Sequence, residues 1–204
     1  MAIIHEVPMR EKLIAITFDD GPHPIYTPQL LEIFNAVGGK ATFFMVGEEM
    51  KKHRDLVKKV FDEGHEIGNH TYTHPHLSKL SMEQCLDEIE RNENLVEELV
   101  GQKPVVFRPP YFDYNDEVIG ILGEKGYPMI GAVNGEARDW EQPGVDHIYK
   151  ASLDAVKEGS ILIFHDGYGD RSQSVDAVRK LVHEVGSQGY QFVTVSRLLE
   201  EFKG

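Results

Sequence analysis

Short runs rich in β-branched and aromatic residues recur at 13–18, 42–46, 65–70, 105–108, 129–133, 161–165 and 191–195, with the length and composition of buried strands. Between them the apolar positions switch to helical spacing, as at Leu30, Leu31 and Phe34, or Leu56, Val57, Val60 and Phe61. The longest helical stretch, 81–100, opens on Ser81 with Gln84 three residues on, the pattern of a capping box. Gly38, Gly64, Gly101, Gly126 and Gly189 each fall shortly before a predicted strand, where a helix ending needs a residue tolerant of positive φ. A short helix is predicted over 196–202.

Strand and helix alternate throughout, which predicts a single α/β domain over 1–204 with a parallel sheet and right-handed crossovers. Periodicity does not separate an open, doubly wound sheet from a barrel. Neither GxGxxG nor GxxxxGK[ST] occurs, and no linker or repeat interrupts the pattern, which favours the barrel.

Composition narrows the partners. The 204 residues suit one domain with one sizeable core. With 21 basic and 34 acidic side chains the formal charge is −13, which repels phosphate backbones and anionic membrane surfaces and argues against nucleic acid. A neutral polymer, a small molecule or a divalent cation is compatible with that field. Cys85 is the only cysteine, so no internal disulfide forms, and Ile89, Val96, Leu99 and Val100 continue its apolar stripe, as for an inert core thiol. The opening MAIIHEVPMREK lacks the charged start and apolar core of an export signal, and no run of about 18 apolar residues offers a membrane segment. Oligomeric state is not legible.

Candidate chemistry collects just past the C-terminal ends of the predicted strands. Asp19 and Asp20 follow the first, His70 and His74 the third, Arg108 the fourth, Asp139 the fifth, and His165 with Asp166 the sixth. In a parallel barrel those ends share one mouth. Imidazoles four apart suit one ion, and with one carboxylate they make a three-ligand set with a position open for water. Alone, the histidine spacing is common by chance, and an Asp doublet is more often a solvated turn or cap. Adjacent side chains on an extended strand point opposite ways, so one aspartate is expected to chelate and the other to remain free as a base.

LIAITFDDGP, HTYTH, FRPPY, ARDW and ILIFHD, in that order, resemble the five motifs of NodB-type polysaccharide deacetylases, carbohydrate esterase family 4, over about residues 12–202. The resemblance implies a distorted, seven-stranded (β/α) barrel. It implies Asp20, His70 and His74 as ligands of one divalent metal, zinc by availability and cobalt or nickel by affinity order. Asp19 would be the general base, with Arg108 keeping it ionised. The backbone N–H of Tyr111 would hold the oxyanion. His165 would be the general acid, oriented by Asp139. Trp140 and Tyr111 offer faces to a sugar ring, although a core position competes for Trp140, and Ile163 would line the acetyl-methyl pocket.

Two positions depart from the family pattern. Phe112 stands where many relatives have glycine, so the loop is not expected to need glycine-only dihedrals and its ring is free to meet substrate. Glu136 stands where an aspartate is often found and receives no role. His23, His53, His65, His76, His147 and His183 are expected to be surface or satisfied core residues, with His76 nearest the site.

The function implied is metal-dependent removal of N-acetyl groups from N-acetylglucosamine units in chitin oligomers or peptidoglycan, releasing acetate. An acetylated polysaccharide or oligosaccharide is then the partner, which places the work in a secreted or cell-surface setting. The same machinery would serve an O-acetyl xylan esterase. A non-catalytic carbohydrate-binding protein is the remaining alternative, but it needs neither base nor acid.

Overall fold

The computed structural model describes residues 2–203. Five parallel strands form the sheet: β1 (Leu13–Asp19), β2 (Thr42–Met45), β3 (Glu66–Asn69), β4 (Ile161–His165) and β5 (Gln191–Phe192). Their order is β3-β2-β1-β4, with β5 paired to the start of β1. The helices are α1 (Tyr26–Val37), α2 (Gly47–Lys52), α3 (Arg54–Asp62), α4 (Met82–Val100), α5 (Asp116–Lys125), α6 (Val145–Asp154), α7 (Ser172–Ser187) and α8 (Val195–Lys203). The expected single-domain parallel α/β architecture forms.

The strand count is corrected. Segments 105–108 and 129–133 lie where strands were expected but narrow to bridges, Asn69 to Phe107 and Phe107 to Met129. Prolines 104, 109, 110 and 128 flank them, and a residue without an N–H cannot extend a ladder. The hydrogen-bonded path still continues from β3 towards β4, because Val133 N–H donates to Ile161 O at 3.0 Å. The N-terminal segment, which carried no prediction, fills the irregular side. Ile4 bridges Ile130 and Glu6 bridges Ser160.

β1 is buried on both faces, and its period of two sorts the side chains. Ile14, Ile16 and Phe18 join Leu30, Leu31 and Phe34 of α1 and Val178 and Leu181 of α7 in the main apolar cluster. Thr17 and Asp19 point the other way, to the fully buried Arg108. Register then aligns the site, since Asp19 pairs with Phe44 on β2 and His165 on β4. Helix ends follow the sequence signals, with a complete Ser81/Gln84 capping box on α4 and left-handed Gly38, Gly101 and Gly126 ending α1, α4 and α5.

Candidate active site

The end of β1 presents two carboxylates to one cavity. Asp19 is the last extended residue, and Asp20 turns into the left-handed region at φ 75°. That turn removes the opposition expected of neighbours on a strand. Asp19 Oδ2 and Asp20 Oδ1 lie 3.6 and 3.5 Å from the same atom, His70 Nε2. Gly167, after β4, makes room, because a Cβ there would collide with the Asp20 carbonyl oxygen.

What distinguishes the two is Arg108. Its guanidinium donates to Asp19 Oδ1 at 2.6 Å and to Thr17 Oγ1 at 2.7 Å, and from its other nitrogens to Ile130 O and Gly131 O. Burial pulls this guanidinium below its ordinary value, and Asp19 opposes the shift. Asp20 instead faces imidazoles. Burial would raise its carboxyl, but His70 and His74 hold it well below the usual carboxylate range.

Asp20, His70 and His74 each offer an atom within 4.8 Å of the others. Asp20 Oδ1 is 3.0 Å from His74 Nε2, yet it is buried without a hydrogen-bond partner. His70 Nδ1 donates to Arg108 O at 2.7 Å, which orients the ring with Nε2 turned to the carboxylates. Two imidazole nitrogens and an orphaned carboxylate oxygen at this spacing fit a divalent cation.

Across the cavity, His165 closes β4. Its Nδ1 donates to Asp139 Oδ1 at 2.8 Å, and its backbone N–H to Asp139 Oδ2 at 2.8 Å. Burial alone would lower the imidazole, but Asp139 first, then Asp19 and Asp20, push it up to about 9. Its Nε2 is therefore the atom left for other partners. The cavity encloses about 740 Å³, and its lining includes Asp19, Asp20, both histidines of HTYTH, Tyr111, Trp140, Ile163 and His165. Arg108 and Asp139 stand behind that lining, against the side chains they orient.

A family profile for polysaccharide deacetylases matches residues 6–130. A peptidoglycan-N-acetylglucosamine deacetylase of Bacillus cereus is 45% identical over 195 residues, covering 95% of this chain and 91% of that protein. The chain belongs to the polysaccharide deacetylase family. A chitooligosaccharide deacetylase of Azorhizobium caulinodans is 32% identical over 197 residues, covering 90% of this chain and 93% of that protein. Among solved structures, the Bc1960 peptidoglycan N-acetylglucosamine deacetylase superposes with a TM-score of 0.90 at 32% identity, over 95% of this chain and 91% of that one.

The cavity has an aromatic rim. Trp140 is exposed at the mouth, edge-on to His165 at 5.6 Å, so it is no core residue. The Tyr111 ring stacks on His76 at 4.1 Å and meets His74 edge-on at 4.6 Å. His76 thus supports the rim and lies outside the Asp20, His70 and His74 set. Phe112 is half exposed at the cavity edge, as expected, but its backbone corrects the expectation about dihedrals. Tyr111 and Phe112 sit at φ 58° and 51°, in the region glycine adopts freely. Turn bonds from Phe112 N–H to Pro109 O and Asp113 N–H to Pro110 O hold them there. Glu136 lies outside the site with its side chain exposed.

Further side chains support the site, and of these the strand-end pattern points to Asp166 alone. Ser174 on α7 donates to Asp139 Oδ2 at 2.8 Å, and nothing in RSQSVD distinguishes that serine. Arg171 is buried and donates to the carbonyls of Gly167, Tyr168 and Trp140, tying two walls of the cavity together. Asp166 is fully buried and accepts from Thr27 Oγ1, and burial pushes its carboxyl up to about 7. Tyr168 meets His74 edge-on at 5.5 Å, and an aromatic between Gly167 and Gly169 was a signal available in the sequence.

Proposed function

We propose that this polysaccharide deacetylase removes the N-acetyl group of N-acetylglucosamine units in peptidoglycan or chitin oligomers, with one divalent metal held by Asp20, His70 and His74. The observation that carries the reading is the buried, unpartnered Asp20 Oδ1 beside two imidazole nitrogens, facing a base and an acid that have separate partners. The relatives support the sugar, since both the peptidoglycan and the chitooligosaccharide enzymes are named for substrates containing N-acetylglucosamine. Zinc is the first choice for a donor set of two imidazoles and a carboxylate, with cobalt or nickel next.

A bound divalent cation supplies Lewis acidity towards the acetyl carbonyl and acidifies water at the site. Asp19, oriented by Arg108, accepts the proton of the attacking water. The Tyr111 backbone N–H donates to the developing oxyanion. His165, protonated through Asp139, gives its proton to the departing amine as the C–N bond breaks, leaving acetate and a free amino sugar. Ile163, nearly buried in the lining, takes the acetyl methyl, and Trp140 and Tyr111 take the sugar ring. A peptidoglycan substrate is consistent with work in a secreted or cell-surface setting. No helix among the described residues is long and apolar enough to cross a membrane.

Acetate release from chitin oligomers, peptidoglycan and acetylated xylan tests the substrate class. Release from the first or second, and far less from xylan, is expected. Release from xylan alone would make the chain an O-acetyl esterase, and release from none would favour a carbohydrate-binding role.

A further inference from the structure

The segment between the two histidines is held in an unusual way. Thr71 N–H donates to Asn69 Oδ1 at 2.9 Å, and Tyr72 and Thr73 N–H both donate to Glu88 Oε2, at 2.9 and 2.7 Å. His74 N–H donates to Thr71 Oγ1 at 3.1 Å. Successive amides therefore end on side chains. Two of these residues are left-handed, Thr71 at φ 64° and His74 at φ 62°. Such residues are strained and persist only where the surroundings impose them.

Asn69 and Thr71 belong to this segment or the strand leading into it, whereas Glu88 comes from α4. It is 8% exposed, and its second oxygen is also engaged, accepting Thr73 Oγ1 at 2.7 Å. One helical turn on, Asn92 Nδ2 donates to Thr71 O at 2.6 Å. The loop is thus clamped from α4, and the tighter clamp is Glu88 on the two residues directly before His74.

We propose that Glu88 is a positioning residue for the metal site, fixing residues 72–73 so that His74 Nε2 meets Asp20 and His70. The proposal rests on the reading of those three residues as the ion site. The role is geometric. Glu88 Oε2 alone receives both amides, and the Thr73 hydroxyl can donate or accept. Glutamine therefore keeps all three contacts, aspartate keeps the charge but falls a methylene short, and alanine keeps none.

The test titrates the metal-stripped full chain with Zn2+ by calorimetry and records the absorption spectrum with Co2+, which reports coordination geometry. Wild type and Glu88→Gln are expected to bind one ion with similar affinity and the same cobalt spectrum. Glu88→Asp and Glu88→Ala are expected to lose at least about tenfold in affinity, with an altered spectrum. If Glu88→Ala does not fold, the Asp and Gln variants decide. Wild-type affinity and spectrum in Glu88→Asp overturn the proposal, and so does a Glu88→Gln as weak as Glu88→Asp, since charge would then be what matters. A wild-type chain that binds no ion overturns the functional reading itself, a failure visible before any variant is made.

Discussion

Asp19 and Asp20 share a side chain and a strand end, and their neighbours give them different chemistry. Asp19 has one oxygen committed to Arg108, which fixes its orientation at the cavity. Asp20 has a buried oxygen with no donor. His165 and Asp139 form the matching pair across the cavity. An imidazole raised to about 9 remains protonated at neutral pH, so the proposed acid function would be present below that value and lost as pH rises through it. A cation bound beside it would lower that limit. Asp139→Asn removes the main cause of the elevation, and the alkaline fall in kcat should move to lower pH by about one unit or more. A pH profile with an unmoved alkaline limb would assign the proton to another group.

At the scale of elements, the irregular side of the sheet is held by a charge where ladder bonds are sparse. Arg108 links segments 105–108 and 129–133 to β1 through Gly131 O, Ile130 O, Thr17 and Asp19. Removing it leaves a buried carboxylate and two carbonyls without partners. Arg108→Met should cost about 3–5 kcal/mol by urea unfolding, and a loss under about 1 kcal/mol would deny it that structural part. The same region marks the limit of sequence reading. Strands such as β1 and β4 were legible because both faces are buried and the apolar run is continuous. The segments after Pro104 and Pro128 showed the same apolar character, but proline breaks the ladder without changing the composition that suggested strands. Ile4 was missed because a segment joined by isolated bridges has no periodicity to read.

On the scale of the whole molecule, the topology converts distant motifs into one site. Parallel strands end on the same side, so residues from 19 to 165 meet in one cavity, and the motifs that carry charged chemistry were legible for that reason. The supports were not. Glu88, Arg171 and Ser174 act through backbone amides, carbonyls or a second side chain, and such contacts follow from three-dimensional neighbours and not from spacing. The −13 charge favours a cation over an anion as the resident group. The most direct test of the account strips the protein of metal and adds Zn2+ in steps while acetate release from chitin oligomers or peptidoglycan is measured. Release should be absent in the stripped protein and rise to a plateau at one ion per chain. Full activity in the presence of chelator would contradict the account.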